Sequence, residues 1–319
     1  MPENVLAADV GGTNVRVSVV APDGKILMRV ESGTPSKGTA EEICGLISDL
    51  ANKLLDQGSF SDPVRRFALA IPAIIDYSTG SVVRSPNLPH LDGFELARRV
   101  SEQTGVDVIL ENDATAATIG EQWLGAAKGV ANVICATLGT GVGGGLIVNG
   151  QVLHGVDGTA GEIGHICLET DGPLCGCGSH GCLEQFASAT AIVRLAKEKL
   201  ATGAPSSLNE LAVFTSTDVF EASEKGDPLS MEVFYSVGYY LGIALAGLIN
   251  VLNPEVIVIT GGVSAGWNAF IGPTQEQVTK RAFQQPAERV KIVRGQLGDD
   301  AGILGAAKTA IAHAGKGSS

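Results

Sequence analysis

Asn4-Val-Leu-Ala-Ala-Asp9-Val-Gly11-Gly12-Thr13 decides how this chain folds, because it is written twice. Asn132-Val-Ile-Cys-Ala-Thr137-Leu-Gly139-Thr140-Gly141 restates it. The flanks repeat as well: Val15–Val20 and Gly24-Lys-Ile-Leu27 follow the first copy, Leu146–Val148 and Asn149-Gly150-Gln-Val-Leu153 the second. Short β-rich runs bounded by Gly, Asp and Asn read as strand, glycine turn, strand, turn, strand in each. One supersecondary unit used twice predicts two similar α/β lobes whose glycine turns face each other across a cleft.

The first turn offers several amides, the Thr13 hydroxyl and the Asp9 carboxylate, groups on which phosphate and a magnesium ion could sit. An ordinary tight hairpin would read the same way. Gly139-x-Gly141-x-x-Gly144 matches the dinucleotide fingerprint, but that motif must open a helix to hold a pyrophosphate. Here a strand at Leu146–Val148 and an Asn149-Gly150 hairpin turn follow, so the Rossmann reading is set aside. No Gly-Lys-Ser/Thr follows the glycines, so a Walker A loop is absent too.

Thr159–Ser188, TAGEIGHICLETDGPLCGCGSHGCLEQFAS, is dense in Cys, His, Glu and Gly. His165, Cys175, Cys177 and Cys182 make one imidazole and three thiols, the ligand set of a closed structural zinc site. Gly176, Gly178 and Gly181 would let the backbone fold tightly around an ion. A disulfide or inert apolar packing is the alternative, disfavoured by clustering and by a reducing compartment. Cys44 and Cys135, in apolar runs, read as core. Glu162 and Glu184 bracket the ligands and are placed to accept hydrogen bonds from adjacent hydroxyls, although exposed loop charge is the plainer account.

Between the repeats lie a helix at Glu41–Leu55, strands at Phe67–Ile71, Gly80–Arg84 and Val106–Leu110, and a helix at Ala114–Leu124. Asn87, between Pro86 and Pro89, suits either a turn or an amide held for a ligand's hydroxyls. Asp113 opens a helix at a strand's carboxyl end, as an N-cap or as a general base beside the cleft. Further on, Ala189–Leu200 is helical, Ser216–Asp218 caps Val219–Glu224, Glu255–Thr260 and Val290–Val293 are strands, and a small-residue helix opens at Asp299 with Lys316–Ser319 frayed. Gly261-Gly262, after a buried strand, permits approach of a flat ring or merely tight packing. Tyr239–Leu252 is apolar but shorter than a membrane span, hence a buried helix.

The net charge of −12 argues against nucleic acid and anionic membranes, which reward basic patches. The N-terminus shows no basic and apolar leader, so a cytoplasmic protein is expected.

Taken together, Asp9–Thr13, Ser85–Pro89, Glu111–Asp113, Gly139–Gly141, Thr159–Glu184, Gly261-Gly262 and Asp300–Ala307 resemble the ROK sugar kinases of the actin-like ATPase superfamily. The Ala-Gly-Glu-x-Gly-His run at Ala160–His165 looks most like the family's bacterial ATP-dependent glucokinases. The resemblance implies two ribonuclease-H-like lobes: residues 1–112, completed by 300–319, and 113–299 with the zinc loop. It implies that Asp113 accepts the proton of a hexose 6-hydroxyl as that oxygen attacks the γ-phosphorus of ATP. Asn87, Asn112, Glu162, His165 and Glu184 would hold the other hydroxyls. Asp9, Gly11, Gly12 and Thr13 with Gly139, Thr140 and Gly141 would cradle phosphates and magnesium, and Gly261 and Gly262 would border adenine. Zinc would be structural and the assembly a homodimer. His90-Leu91 stands where many glucose-specific relatives have Gly-Trp, leaving mannose, N-acetylmannosamine or N-acetylglucosamine as alternatives to glucose. A sugar-sensing repressor of the same family would carry a helix-turn-helix ahead of its first strand, for which a strand starting at Val5 leaves no room.

Overall fold

The computed structural model describes residues 3–35, 37–58 and 63–313. The expected fraying at Lys316–Ser319 lies outside them. Following the chain, β1 (Val5–Val10), β2 (Asn14–Val20) and β3 (Ile26–Gly33) form an antiparallel meander. Helix α1 (Ala40–Gln57) leads to β4 (Arg66–Ile71), a hairpin of β5 (Ile74–Asp76) and β6 (Ser81–Arg84), α2 (Leu96–Thr104) and β7 (Asp107–Asn112). β4 lies parallel to β1 and β7 parallel to β4, so the first sheet runs β3-β2-β1-β4-β7. Helix α3 (Asp113–Trp123) connects to β8 (Val133–Leu138), β9 (Val142–Val148) and β10 (Gln151–Val152), again an antiparallel meander.

Next come α4 (Glu184–Ala187), α5 (Ala189–Ala201), α6 (Ser216–Glu224), α7 (Pro228–Leu252) and β11 (Val256–Thr260). The chain ends with α8 (Trp267–Arg281), α9 (Gln284–Arg289), β12 (Lys291–Arg294) and α10 (Ala301–His313). β11 pairs parallel with β8 and β12 parallel with β11, giving β10-β9-β8-β11-β12. The duplicated sequence is a duplicated topology, a meander extended by parallel strands on the side of its first strand. Register refines the repeat: Val10 pairs with Val15 around Gly11–Asn14, but Leu138 pairs with Val142 around Gly139–Gly141. The second turn is one residue shorter, which slides β9 by one position against the sequence alignment of the copies.

Helices cover both faces of each sheet because the strands are apolar on both. On the first sheet, Ile43, Ile47, Ala51 and Leu54 form the buried stripe of α1, whose start is fixed by a capping box between Thr39 and Glu42. The opposite face, with Val5, Ala7, Ala68 and Ala70, is covered by Ile303, Leu304, Ala306, Ala307 and Ala310 of α10, the last helix of the described chain. α10 also crosses α3 so closely that a Cβ at Gly305 would stand 1.6 Å from the Ala116 carbonyl oxygen, and one at Gly120 2.3 Å from that of Ala301.

Several local expectations change. The apolar segment expected at Tyr239–Leu252 is the second half of α7, which is 25 residues long and starts at Pro228 behind an Asp227 cap. By length and composition α7 could cross a membrane, but Leu229, Val233, Val237, Leu241, Leu245 and Ile249 form a buried stripe in the core of the second lobe. α6 is capped by Thr215, in a capping box with Asp218, rather than by Ser216–Asp218. α2, α8 and α9, outside the sequence reading, fill the remaining flanks.

Candidate active site

The first glycine turn closes where Gly11 donates to the Asn14 carbonyl at 2.9 Å, and the second where Gly139 donates to Gly141 at 2.9 Å. Gly12 and Thr13 are exposed, as is Thr140. Thr34 straps the first turn from β3 by donating its hydroxyl to the Gly11 carbonyl at 2.7 Å. Asn87 adjoins this turn, its carbonyl oxygen 3.6 Å from where a Gly12 Cβ would be. Buried Ser85 also anchors the Asn87 loop: its amide donates to Asp92 and its hydroxyl donates to the Pro72 carbonyl. Around the second turn, Ala189 donates to the Gly139 carbonyl and the Thr190 hydroxyl to that of Thr140. Gly261, at φ 87°, brings its backbone against Leu138, where a Cβ would meet the carbonyl oxygen at 2.5 Å. Gly262 lies exposed beside it and touches nothing across this space.

Asp113 is the first residue of α3, not its cap. Asn112 caps the helix, its Oδ1 accepting from the Thr115 amide at 3.0 Å while its Nδ2 donates to the Ala73 carbonyl at 3.3 Å. The Asp113 carboxylate accepts from the Ala114 amide at 2.8 Å and stays free to act on a ligand. Burial pushes its pKa up to about 6, with the charges of Asp9 and Glu162 adding to the rise and the Ala114 N–H opposing it. Asp113 thus carries the negative charge of two other segments as a lesser addition to its burial. Burial also raises Asp9, against the pull of Arg16, and raises Glu162, against His165. The Asp9 carboxylate lies 3.6 Å from the Cβ position of Gly302 in the first turn of α10, where helix N-terminal amides favour negative charge.

His165, Cys175, Cys177 and Cys182 converge, with one ligand atom from each all within 4.8 Å of one another. Cys177 Sγ and Cys182 Sγ are 3.7 Å apart, and Cys175 Sγ and His165 Nδ1 3.6 Å. Zinc–sulfur bonds of ~2.3 Å in a tetrahedron require sulfurs ~3.8 Å apart, so the quartet fits such a metal. His165 turns Nδ1 to the thiols and Nε2 toward Glu162, at 3.8 Å. Burial and the neighbouring thiols push Cys182 up to about 12, whereas the Ser179 amide lowers Cys177. Of the three glycines singled out, Gly178 and Gly181 have positive φ. Gly181 is indispensable, since a Cβ there would stand 1.7 Å from the Glu169 carbonyl oxygen. Cys44 and Cys135 are buried in the cores as expected, while Cys167 is exposed beside the quartet and outside it.

Glu184 couples the cysteine loop to the second turn: Oε2 accepts from the Val142 amide at 3.1 Å and Oε1 lies 3.7 Å from Cys175 Sγ. Tyr240 of α7 holds the loop from behind, stacking on Phe186 with ring centroids 3.8 Å apart and donating its hydroxyl to Glu169. Sequence reasoning did not single out Tyr240, and it named Glu111 only as part of the Glu111–Asp113 run, with no role for the buried carboxylate that accepts from Tyr77 and meets His154. The one available signal was a glutamate inside an apolar strand end.

The model of the ROK family matches residues 5–313. A glucokinase of Halalkalibacterium halodurans is 38% identical across 94% of this chain and 92% of its own length. One of Thermotoga maritima is 36% identical across 96% and 97%. The crystal structure of a ROK family glucokinase from Streptomyces griseus in complex with glucose and AMPPNP superposes with a TM-score of 0.81 and 33% identity, covering 96% of this chain and 99% of that one. The two lobes and the cysteine loop thus lie inside a likeness that runs nearly end to end, and the chain belongs to the ROK family.

Proposed function

We propose that this protein transfers the γ-phosphoryl group of ATP to the 6-hydroxyl of a hexose, glucose before others. The observation that supports it most is where β9, the strand leaving the second glycine turn, is flanked: a Cβ at Gly143 would stand 2.9 Å from Ala114, next to Asp113, and one at Gly144 2.6 Å from the carbonyl oxygen of Gly161, next to Glu162. A base, a phosphate-binding turn and a sugar-holding loop are what such a transfer needs within one reach.

In this reading the Asp113 carboxylate takes the proton of the 6-hydroxyl as the oxygen attacks in line, a contribution of roughly 10²–10⁴ in rate. Asn87, Glu162, Glu184 and His165 Nε2 orient the sugar, with Asn112 contributing the amide hydrogen its capping role leaves over. Gly11, Gly12 and Thr13 face the phosphates from one side and Gly139, Thr140 and Gly141 from the other, with Gly261 and Gly262 bordering the adenine ring. Magnesium, held near Asp9, would neutralise phosphate charge. Zinc on the quartet would supply no chemistry but would fix His165 and Glu162 in register.

We take the lobes to divide at Asn112/Asp113, with 1–112 and 300–319 in one and 113–299 in the other. The protein acts as a cytoplasmic homodimer, without nucleic acid or membrane as partner. A coupled assay over glucose, mannose, fructose, N-acetylmannosamine and N-acetylglucosamine, with ATP and polyphosphate as donors, tests the proposal. Glucose with ATP is expected to give the highest kcat/KM. Turnover of no hexose by any donor would sink it.

A further inference from the structure

Glu111 is a carboxylate in the interior, its side chain 3% exposed, with no role in the transfer itself. It is nonetheless surrounded by donors. The Tyr77 hydroxyl donates to Oε1 at 2.6 Å, and His154 Nε2 lies 3.1 Å from both oxygens. The Tyr77 and His154 rings also pack on each other, centroids 4.2 Å apart. These residues come from three places: the β5–β6 hairpin, the end of β7, and the segment after β10.

What each is attached to gives the cluster its meaning. Glu111 immediately precedes Asn112, the cap of α3, and Asp113, the base. His154 opens the segment that ends at Glu162: its carbonyl accepts from the Ala160 amide at 3.0 Å, closing 154–160 into a compact loop. Gly158 of that loop lies against the hairpin, where a Cβ would stand 2.6 Å from the Ile75 carbonyl oxygen and 3.0 Å from Tyr77. Among the described hydrogen bonds, the polar link between β7, whose end precedes Asp113, and the loop leading to Glu162 therefore runs through Glu111.

We propose that Tyr77, Glu111 and His154 form a clamp that sets the distance between the base Asp113 and the sugar-holding Glu162. They are positioning residues, and the inference rests on the kinase reading above. Sub-ångström slack between acceptor and base is enough to lower a transfer rate severalfold to a hundredfold, whereas the nucleotide turns, which the clamp does not touch, would be unaffected.

The test compares wild type with Tyr77→Phe and His154→Gln, both close in size to the native residues, assayed well below their melting temperatures. The expected result is a fall in kcat of about tenfold and a higher KM for sugar, with KM for ATP within about twofold. ATP hydrolysis without sugar transfer should rise relative to productive turnover, because a loosened acceptor lets water compete. Kinetic constants unchanged in both variants, or a lowered melting temperature with unchanged constants, would overturn the clamp. Hydrogen exchange gives a reading independent of the sugar: His154→Ala should speed exchange of the amides of 155–162 by tenfold or more, and unchanged exchange there refutes the coupling. Inactive wild type with fast-exchanging His154→Ala would instead leave the clamp standing and remove the kinase reading.

Discussion

The two glycine turns share a topology and differ in what they were built to tolerate. Behind the first, Asp9 pairs across the strands with Arg16, and Arg16 and Arg29 reach Asp299 and Asp300 at the start of α10. Behind the second, Thr137 pairs with Gly143, and Gly144 and Gly145 continue a strand without side chains. Those glycines are spaces. A Cβ at Gly144 would meet the Gly161 carbonyl oxygen at 2.6 Å, and one at Gly145 would meet Thr118 Oγ1 at 2.1 Å. One copy thus keeps charge at the turn, and the other gives up side chains so that α3 and the loop before Glu162 can lie on its strand. A repeated backbone unit supplies the geometry, and the residues at matched register positions divide the labour.

The sharpest way to break this comparison is at the place both copies serve. Asp113→Asn should lower kcat by roughly 10²–10⁴ while sugar binding by calorimetry persists. Its stability should move the other way. A pKa raised above the ordinary carboxylate value means the folded state holds the proton more firmly than the unfolded one. That contribution is present at acid pH and lost as pH rises through about 6, so at pH 7 the buried charge disfavours folding and the asparagine variant should be the more stable in a denaturant melt, by up to about 3 kcal/mol. Undiminished turnover would remove Asp113 as the base.

Next in size is a contrast between the copies. Gly145→Val forces a branched side chain into Thr118 and the Ala114 carbonyl and should cost about 3 kcal/mol in a denaturant melt. Gly12→Ala finds only ordinary contact, 3.6 Å to Asn87, and should stay within about 0.5 kcal/mol while raising KM for ATP. Equal destabilisation by the two would mean the copies are not specialised as described.

Metal removal should act on one side only. After chelation, or in Cys177→Ser, sugar affinity is expected to fall by about 10–100-fold with nucleotide affinity kept. Loss of both together would put the quartet outside the sugar site. The mildest effect is the acid limb of the rate profile. Because the base must be ionised, kcat/KM should fall tenfold per unit below about pH 6; a limb two units lower would contradict the burial of the Asp113 carboxylate.

Much of this was legible in the chain. The repeat, with its alternating strands and punctuating glycines, marked the meander of each sheet, and the clustering of His165 with three thiols marked side chains that do converge in space. What escaped lies where local pattern is silent. Asn112 and Asp113 are both good caps, and which one caps depends on where β7 stops being extended. Tyr77, Glu111 and His154 sit far apart in sequence, and no periodicity announces that tertiary folding joins them. The first half of α7 hid because its apolar stripe is interrupted by polar residues such as Ser230, buried within the helix interface.

The position of α10 has a consequence for biosynthesis. The face of the first sheet formed by Val5, Ala7, Ala68 and Ala70 leaves the ribosome well before its cover, which is made by residues 301–313. Until translation reaches them, that apolar face stands bare while the whole second lobe is made. A sheet whose strands are made early in this sequence is thus closed by a helix made some two hundred residues later, so α10 acts as a late stitch on the first lobe.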